Sequence, residues 1–140
     1  MPNKVLKVYS DGASSGNPGP SGIGYVIINE DGEIIRTHSE FIGQATNNIA
    51  EYIAFDRAID EVLKIKPDKV YFFLDSELLV KQIKGEYKVK NKNIFNIFEK
   101  VVSKLSKLNY DIAHVRREEN KLADKLAKDA VKYGLSRFTK

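Results

Sequence analysis

The 140 residues contain no cysteine, which excludes disulfides and thiolate metal sites and leaves nothing that marks a secreted protein. Histidine is nearly absent, with only His38 and His114, so a site built on paired imidazoles has little to draw on. No apolar run approaches the ~20 residues of a membrane span. The opening Met1-Pro2-Asn3-Lys4 lacks the apolar core of a signal peptide. The expected location is therefore the cytoplasm. There is no internal repeat and no low-complexity linker, so a single domain over residues 1–140 is expected, with 135–140 as a short tail. A large charge excess is missing too. Lys and Arg total 23 against 19 acids, giving +4 and a pI near 9.1. That balance permits a polyanionic partner, and it equally permits a lysine-rich solvated surface.

What is present suffices for a packed core: 42% of residues are hydrophobic and 30% charged. Val5 to Ser10 reads as a strand running into a segment dense in Gly, Pro, Ser and Asn. Gly22 to Asn29 and Glu33 to Ile42 read as two further strands around the Asp31-Gly32 turn, with Gly43-Gln44-Ala45 a loop. Thr46, Asn47 and Asn48 offer N-caps to a helix whose apolar residues recur from Ile49 to Leu63 and which ends before Pro67. The unbroken run Val70 to Leu74 reads as a buried central strand. A short helix with Leu78, Leu79 and Ile83 closes at Gly85, and Asn93 to Leu108 is amphipathic. Tyr110 to Val115 is a fifth strand. Asn120 caps a last helix with Leu122, Ala123, Leu126, Ala127, Ala130 and Val131 inward, stopped by Gly134. The order predicts an α/β fold with a five-stranded mixed sheet: strands one to three an antiparallel meander, strands four and five parallel to strand one, helices flanking.

Most acids need no special account: Asp31, Asp56, Asp60, Glu61, Glu99 and Asp129 fall in a turn or on polar helix faces. Four are placed differently. Asp11 follows strand one, Glu51 lies a turn into the first helix, Asp75 ends the most apolar strand, and Asp124 is in the first turn of the last helix. Any one of them could cap a helix or pair with a lysine. Four together, each at the end of an element, make a carboxylate metal site credible, and hard oxygen donors without thiolate suit Mg²⁺ or Mn²⁺. Several carboxylates suit two metals roughly 4 Å apart, the arrangement for in-line phosphoryl chemistry.

The segment Tyr9-Ser10-Asp11-Gly12-Ala13-Ser14-x-Gly16-Asn17-Pro18-Gly19-Pro20-x-Gly22-x-Gly24 resembles the opening signature of type 1 ribonuclease H. Thr46-Asn47-Asn48-x-x-Glu51, Asp75-Ser76 and Glu119-Asn120-x-x-Ala123-Asp124-x-Leu126-Ala127 follow in that family's order, so the resemblance covers nearly the whole chain. It implies a ribonuclease H-like fold and endonucleolytic hydrolysis of the RNA strand of RNA–DNA hybrids, leaving 3′-hydroxyl and 5′-phosphate ends. By position, Asp11, Glu51, Asp75 and Asp124 take the family's metal-ligand places. Two Mg²⁺ or Mn²⁺ ions there would activate water, orient the scissile phosphate and stabilise the leaving oxygen. His114 stands at the family's spacing for a catalytic histidine, ten residues before Asp124, although its surroundings lack the family's Gly-rich, His-rich loop. A packed or solvated histidine is the alternative. Arg117 is a candidate phosphate contact, or a partner of Glu118 or Glu119. His38 reads as structural.

The same resemblance assigns substrate contacts. Asn17 would face the RNA strand, with Gly12, Ala13 and Ser76 beside the acids. Asn48 would read the minor groove, and Thr46 and Asn47 would lie near a phosphate of the DNA strand. Polar groups at a helix N-terminus favour anions independently of any family. Two departures stand out. Glu77 occupies a place where many members carry Gln. Only Gly85 to Lys92 connects the short helix to the next, too short for the additional basic helix of many members, so Lys84, Lys88, Lys90 and Lys92 are left to supply positive charge. No hybrid-binding domain precedes the motifs. Weaker or less selective binding is expected, with double-stranded RNA a candidate second substrate. The chain reads as a monomer with no obligate protein partner. The alternative is a non-catalytic nucleic-acid-binding module on the same fold.

Overall fold

A computed structural model describes residues 4–138. The sheet carries five strands in the order β3-β2-β1-β4-β5. β1 (Val5–Ser14), β2 (Gly19–Ile28) and β3 (Ile34–Ala45) form the antiparallel meander, while β4 (Lys69–Leu74) and β5 (Tyr110–His114) run parallel to β1 and to each other. The helices are α1 (Asn47–Ile65), α2 (Glu77–Ile83), α3 (Lys92–Leu105) and α4 (Lys121–Phe138), with a 3-10 turn at Arg117–Glu119.

Strand alternation divides the sheet into two faces. Leu6 and Val8 of β1, Val70, Phe72 and Leu74 of β4, and Ile112 of β5 point to one face and pack with Tyr52, Phe55, Ile59 and Val62 of α1 and Val101 and Leu105 of α3. Phe55 meets Phe72 edge-on at 5.0 Å between ring centres. On the other face α4 lies across β2 with its small buried residues Ala123, Ala127 and Ala130 inward. β4 alternates between buried and half-buried residues, so it is fully covered on one face only.

Several boundaries differ from the sequence reading. β1 runs on through Gly12, Ala13 and Ser14, because β2 supplies a ladder from Asp11↔Gly24 to Ser14↔Ser21 that local turn propensity does not reveal. For the same reason β2 begins at Gly19 and β3 takes in Gly43 to Ala45, the predicted loop. Gly134 does not stop α4. Its Cα lies so close to the Phe41 ring that any side chain would overlap it, so the glycine serves a close approach of α4 to β3. The supposed tail is thus largely helical. Leu135 is half-buried beside Phe41, Pro20 and Gly43, whereas the side chain of Phe138 lies outside the described residues. Leu122, expected inward, is exposed, as are Leu78 and Val102. Asp56 is not on a solvated face. It is 8% exposed, and Lys104 of α3 reaches it at 2.8 Å while also holding Asp60 at 2.8 Å. His38 stacks on Tyr25 and bonds Glu40 at 2.9 Å, in keeping with a structural role.

Candidate active site

The candidate site forms where one strand stops before its neighbour. β4 pairs with β1 only as far as Leu74 opposite Ser10, whereas β1 continues for four more residues beside β2. Asp11 is therefore inside a strand, not beyond its end, and it is the first β1 residue with open space where β4 would be. Asp75 follows directly from the end of β4. Glu51 arrives from α1, which comes down onto β1 at Gly12. A methyl group at Gly12 would overlap the backbone of Ala50 and Glu51, so only glycine lets the helix approach this closely. Three carboxylates from three elements thus each place an oxygen within 4.8 Å of the others.

Asp124, one turn into α4, lines the same cavity of about 330 Å³, together with Gly12, Ala13, Asn47, Ser76 and Arg117. It does not come within 4.8 Å of all three, but it reaches Asp11, and its carboxylate is also paired with Lys128 at 3.0 Å. Lys128 also lines the cavity and had no place in the sequence reading. The i, i+4 spacing of Asp124 and Lys128 was the available signal.

The electrostatics follow from crowding acids in a partly dry site. Burial, then the neighbouring Asp75, raises the Asp11 carboxyl from 3.8 to about 9, and Asp124 and Glu51 push the same way. Burial raises Glu51 to about 7, with Asp75 adding to it and the Ser76 hydroxyl and Arg117 opposing. Like charges this close cannot all be ionised without a cation. The backbone N–H of Gly12 donates to Asp11 at 3.0 Å, and Asn47 Nδ2 donates to Glu51 at 3.2 Å. The donor set is oxygen throughout, hard and anionic, which fits a divalent ion such as Mg²⁺ or Mn²⁺.

Asn120 has a different job from the one its position suggests. Its side chain does not turn back to cap α4. It donates through Nδ2 to the Ser10 carbonyl at 3.0 Å and to Asp75 at 3.2 Å, and it is 2% exposed. One buried amide therefore ties the start of α4 to β1 and to the acid at the end of β4.

The residues that the resemblance assigns to substrate gather next door. Thr46 caps α1, accepting from Ile49 N at 3.2 Å, and Asn17 Oδ1 accepts from Asn47 N at 3.0 Å, which pins the glycine-rich turn to the helix terminus. Asn17, Thr46, Asn48 and Ser76 line a second cavity of about 360 Å³ that Lys88 and Lys90 close on the far side. Glu77 leans to Lys81 at 3.8 Å, which tempers the charge that the sequence places there. His114 is exposed at the end of β5, at the same end of the sheet, yet it is not among the described residues that line the acidic cavity. Arg117 is.

The strand order, the crossovers and the acid cluster at the open sheet end define a ribonuclease H fold. A family model described as Reverse transcriptase-like matches residues 9–130. A bifunctional protein of Mycobacterium tuberculosis is 35% identical over 128 residues, which is 89% of this chain and 35% of that protein. The structure of its N-terminal RNase H domain superposes with a TM-score of 0.93 at 30% identity, covering 98% of this chain and all (100%) of that one. Ribonuclease HI of Halobacterium salinarum is 36% identical over 127 residues, 90% of this chain and 64% of that protein. LC11-RNase H1, solved in complex with an RNA/DNA hybrid, gives a TM-score of 0.88 at 37% identity over 93% of this chain and 99% of its own. The chain belongs to the type 1 ribonuclease H family. It spans about a third of the length of the first curated relatives it matches, 35% in each.

Proposed function

We propose that this chain is a metal-dependent endoribonuclease that hydrolyses the RNA strand of RNA–DNA hybrids to 5′-phosphate and 3′-hydroxyl ends. The observation that carries this reading is the convergence of Asp11, Glu51 and Asp75 from three elements within 4.8 Å, with Asp124 on the same cavity wall. These four would hold two Mg²⁺ or Mn²⁺ ions. Bound there, the ions supply Lewis acidity, a water made nucleophilic at neutral pH, and charge neutralisation on the leaving oxygen.

The chain's own residues orient the parts. Gly12 N–H and Asn47 fix the carboxylates of Asp11 and Glu51. Asn120 fixes that of Asp75. Arg117 on the cavity wall would meet a phosphate oxygen, and Lys128 pairs with Asp124 in the metal-free site. Gly12, Ala13 and Asn17 face the RNA strand, Asn48 the groove, and Thr46, Asn47 and Ser76 the backbone beyond it. His114, exposed at the same end of the sheet, would assist proton transfer or product release. The protein would work as a cytoplasmic monomer, with double-stranded RNA a secondary substrate; among the described residues no helix is long and apolar enough to cross a membrane.

The test is cleavage of an end-labelled hybrid, alongside double-stranded RNA and DNA, with Mg²⁺ and then Mn²⁺. Wild type is expected to cut the hybrid's RNA strand, and Asp75→Asn or excess EDTA to abolish cutting. Undiminished activity in either sinks the metal mechanism, and a hybrid that binds but stays whole with both metals sinks the enzyme.

A further inference from the structure

The connection from α2 to α3 is short, yet it is held at four points. Gln82 of α2 is 8% exposed, a polar side chain inside the core. Its Oε1 accepts the hydroxyl proton of Tyr52, itself 2% exposed on α1, at 2.6 Å. Its Nε2 points the other way, to the backbone carbonyl of Lys88 at 3.5 Å. Next in the chain, Val89 is half-buried and packs on the core, and Asn91 then caps α3 through Asn93 N at 2.8 Å and Ile94 N at 3.1 Å. The first part of the loop folds back on α2: Glu86 N and Tyr87 N both bond the Lys81 carbonyl, at 2.9 and 3.3 Å, and Lys81 Nζ sits 5.0 Å from the Tyr87 ring centre.

With Val89 turned in, its neighbours Lys88 and Lys90 line the cavity opposite Asn17, Thr46 and Asn48. Burying a tyrosine hydroxyl and an amide is unfavourable unless both are bonded, and an apolar pair would fill the space with no such demand. The polar pair does what an apolar one cannot: it bonds the main chain of the loop at the residue that carries a lysine.

We infer that Tyr52 and Gln82 are positioning residues for substrate, a buried latch that sets Lys88 and Lys90 at the height where they meet the backbone of the nucleic-acid strand in this cavity. The inference rests on the hybrid-cleaving reading and names residues outside the acid cluster, Tyr52 following Glu51 on α1 but turned to Gln82, that govern binding and leave the chemical step alone. Two fixed lysines on a short loop thereby do part of the work of a longer basic element.

The experiment compares hybrid binding, by fluorescence anisotropy between 50 and 200 mM salt, in a chain kept uncut by Asp75→Asn, and turnover in the chain with Asp75 intact. Lys88→Ala/Lys90→Ala is expected to weaken binding about tenfold and flatten the salt dependence by about one power per lysine. Gln82→Met, which keeps the volume, and Tyr52→Phe, which loses one hydroxyl, are each expected to raise Kd and KM about threefold, with kcat within about twofold and a shallower salt slope. In the lysine-free background the Gln82→Met effect is expected to vanish, because both changes act through the same contacts. A folded Gln82→Met and Tyr52→Phe with wild-type Kd and salt slope overturns the latch. So does an undiminished threefold loss when the lysines are already gone, which marks a purely structural role. A wild-type chain that binds hybrid without cutting it overturns the proposed activity alone, since the latch is read from binding.

Discussion

Asn120 and Gly12 carry no charge and perform no chemistry, yet the acids depend on them. Asn120 donates to two acceptors at once, the Ser10 carbonyl and Asp75. Removing it takes a buried donor from both and leaves the Asp75 carboxylate freer to swing. Asn120→Ala is expected to cost about 2 kcal/mol of stability and to lower activity by about 10- to 100-fold, the usual effect of losing a partner that orients a metal ligand. Thermal melts and kcat of the purified variant check both, and wild-type activity would show that Asp75 needs no such support. Gly12→Ala is expected to push α1 off β1, because the added methyl would meet backbone rather than a flexible side chain. A destabilisation of about 1–3 kcal/mol with at least about a tenfold loss of hybrid cleavage is the expected result, and weaker stabilisation of the variant by Mg²⁺ would show that the carboxylates have moved apart. The role of either residue was only partly legible in sequence. A glycine after an acid reads as a turn, and an asparagine before a helix reads as a cap, because local propensity knows nothing of the helix or strand that arrives from elsewhere.

At the scale of elements, α1 shows where periodicity reads well and where it fails. Its apolar stripe, its cap at Thr46 and its end before Pro67 are local features, and all are found: Lys66 closes the helix with φ 59° and its N–H on the Val62 carbonyl. Asp56 is a different matter. The stripe predicts the face toward the sheet, but α3 covers a second face, and Asp56 lies in that seam with Lys104. Burial and the paired acids act on Lys104 in opposite directions, and the balance raises its pKa, so it stays a cation at neutral pH. Lys104→Met is expected to destabilise the fold by about 2 kcal/mol, less than a fully buried pair because Lys104 is partly solvated. Asp56→Leu added to it is expected to recover most of the loss, and urea unfolding of the single and double variants measures this. An Asp56→Leu/Lys104→Met chain as unstable as Lys104→Met would deny the pairing its importance. α4 teaches the same lesson. Gly134 is a helix stop by propensity and a contact point in the fold, since the Phe41 ring on β3 needs its missing side chain.

For the molecule as a whole, the acid cluster sets a tension between stability and metal binding. Asp11 and Glu51 titrate near 9 and 7 in the fold, against ordinary values of 3.8 and 4.5. The metal-free folded state therefore holds protons that the unfolded chain has already released. Stability is greatest with these groups protonated and falls as pH rises from about 4 through 7 toward 9. A divalent ion needs the deprotonated carboxylates, so it displaces those protons and its stabilising effect grows over the same range. Melting temperatures in EDTA are expected to decline between pH 5 and pH 9, and millimolar Mg²⁺ to raise them most at the alkaline end. A melting temperature in EDTA that climbs with pH over this range would overturn the assignment of the raised pKa values.

From the sequence alone came the order of elements, the meander with its parallel additions, and four acids singled out by position and resemblance. Those are decided by features each segment carries within itself: apolar spacing, caps, turn residues, a carboxylate after an apolar run. The tertiary structure alone decided that Asp11 lies within β1 beside the point where β4 stops, and that three carboxylates converge while Asp124 leans to Lys128. It alone left His114 exposed at that end of the sheet, off the cavity lining, and tied Asn120 to Asp75. The physical reason is register. Which strand ends first, and which face a helix presents, follow from pairings between residues as distant as Ser10 and Asn120, and no local propensity encodes those.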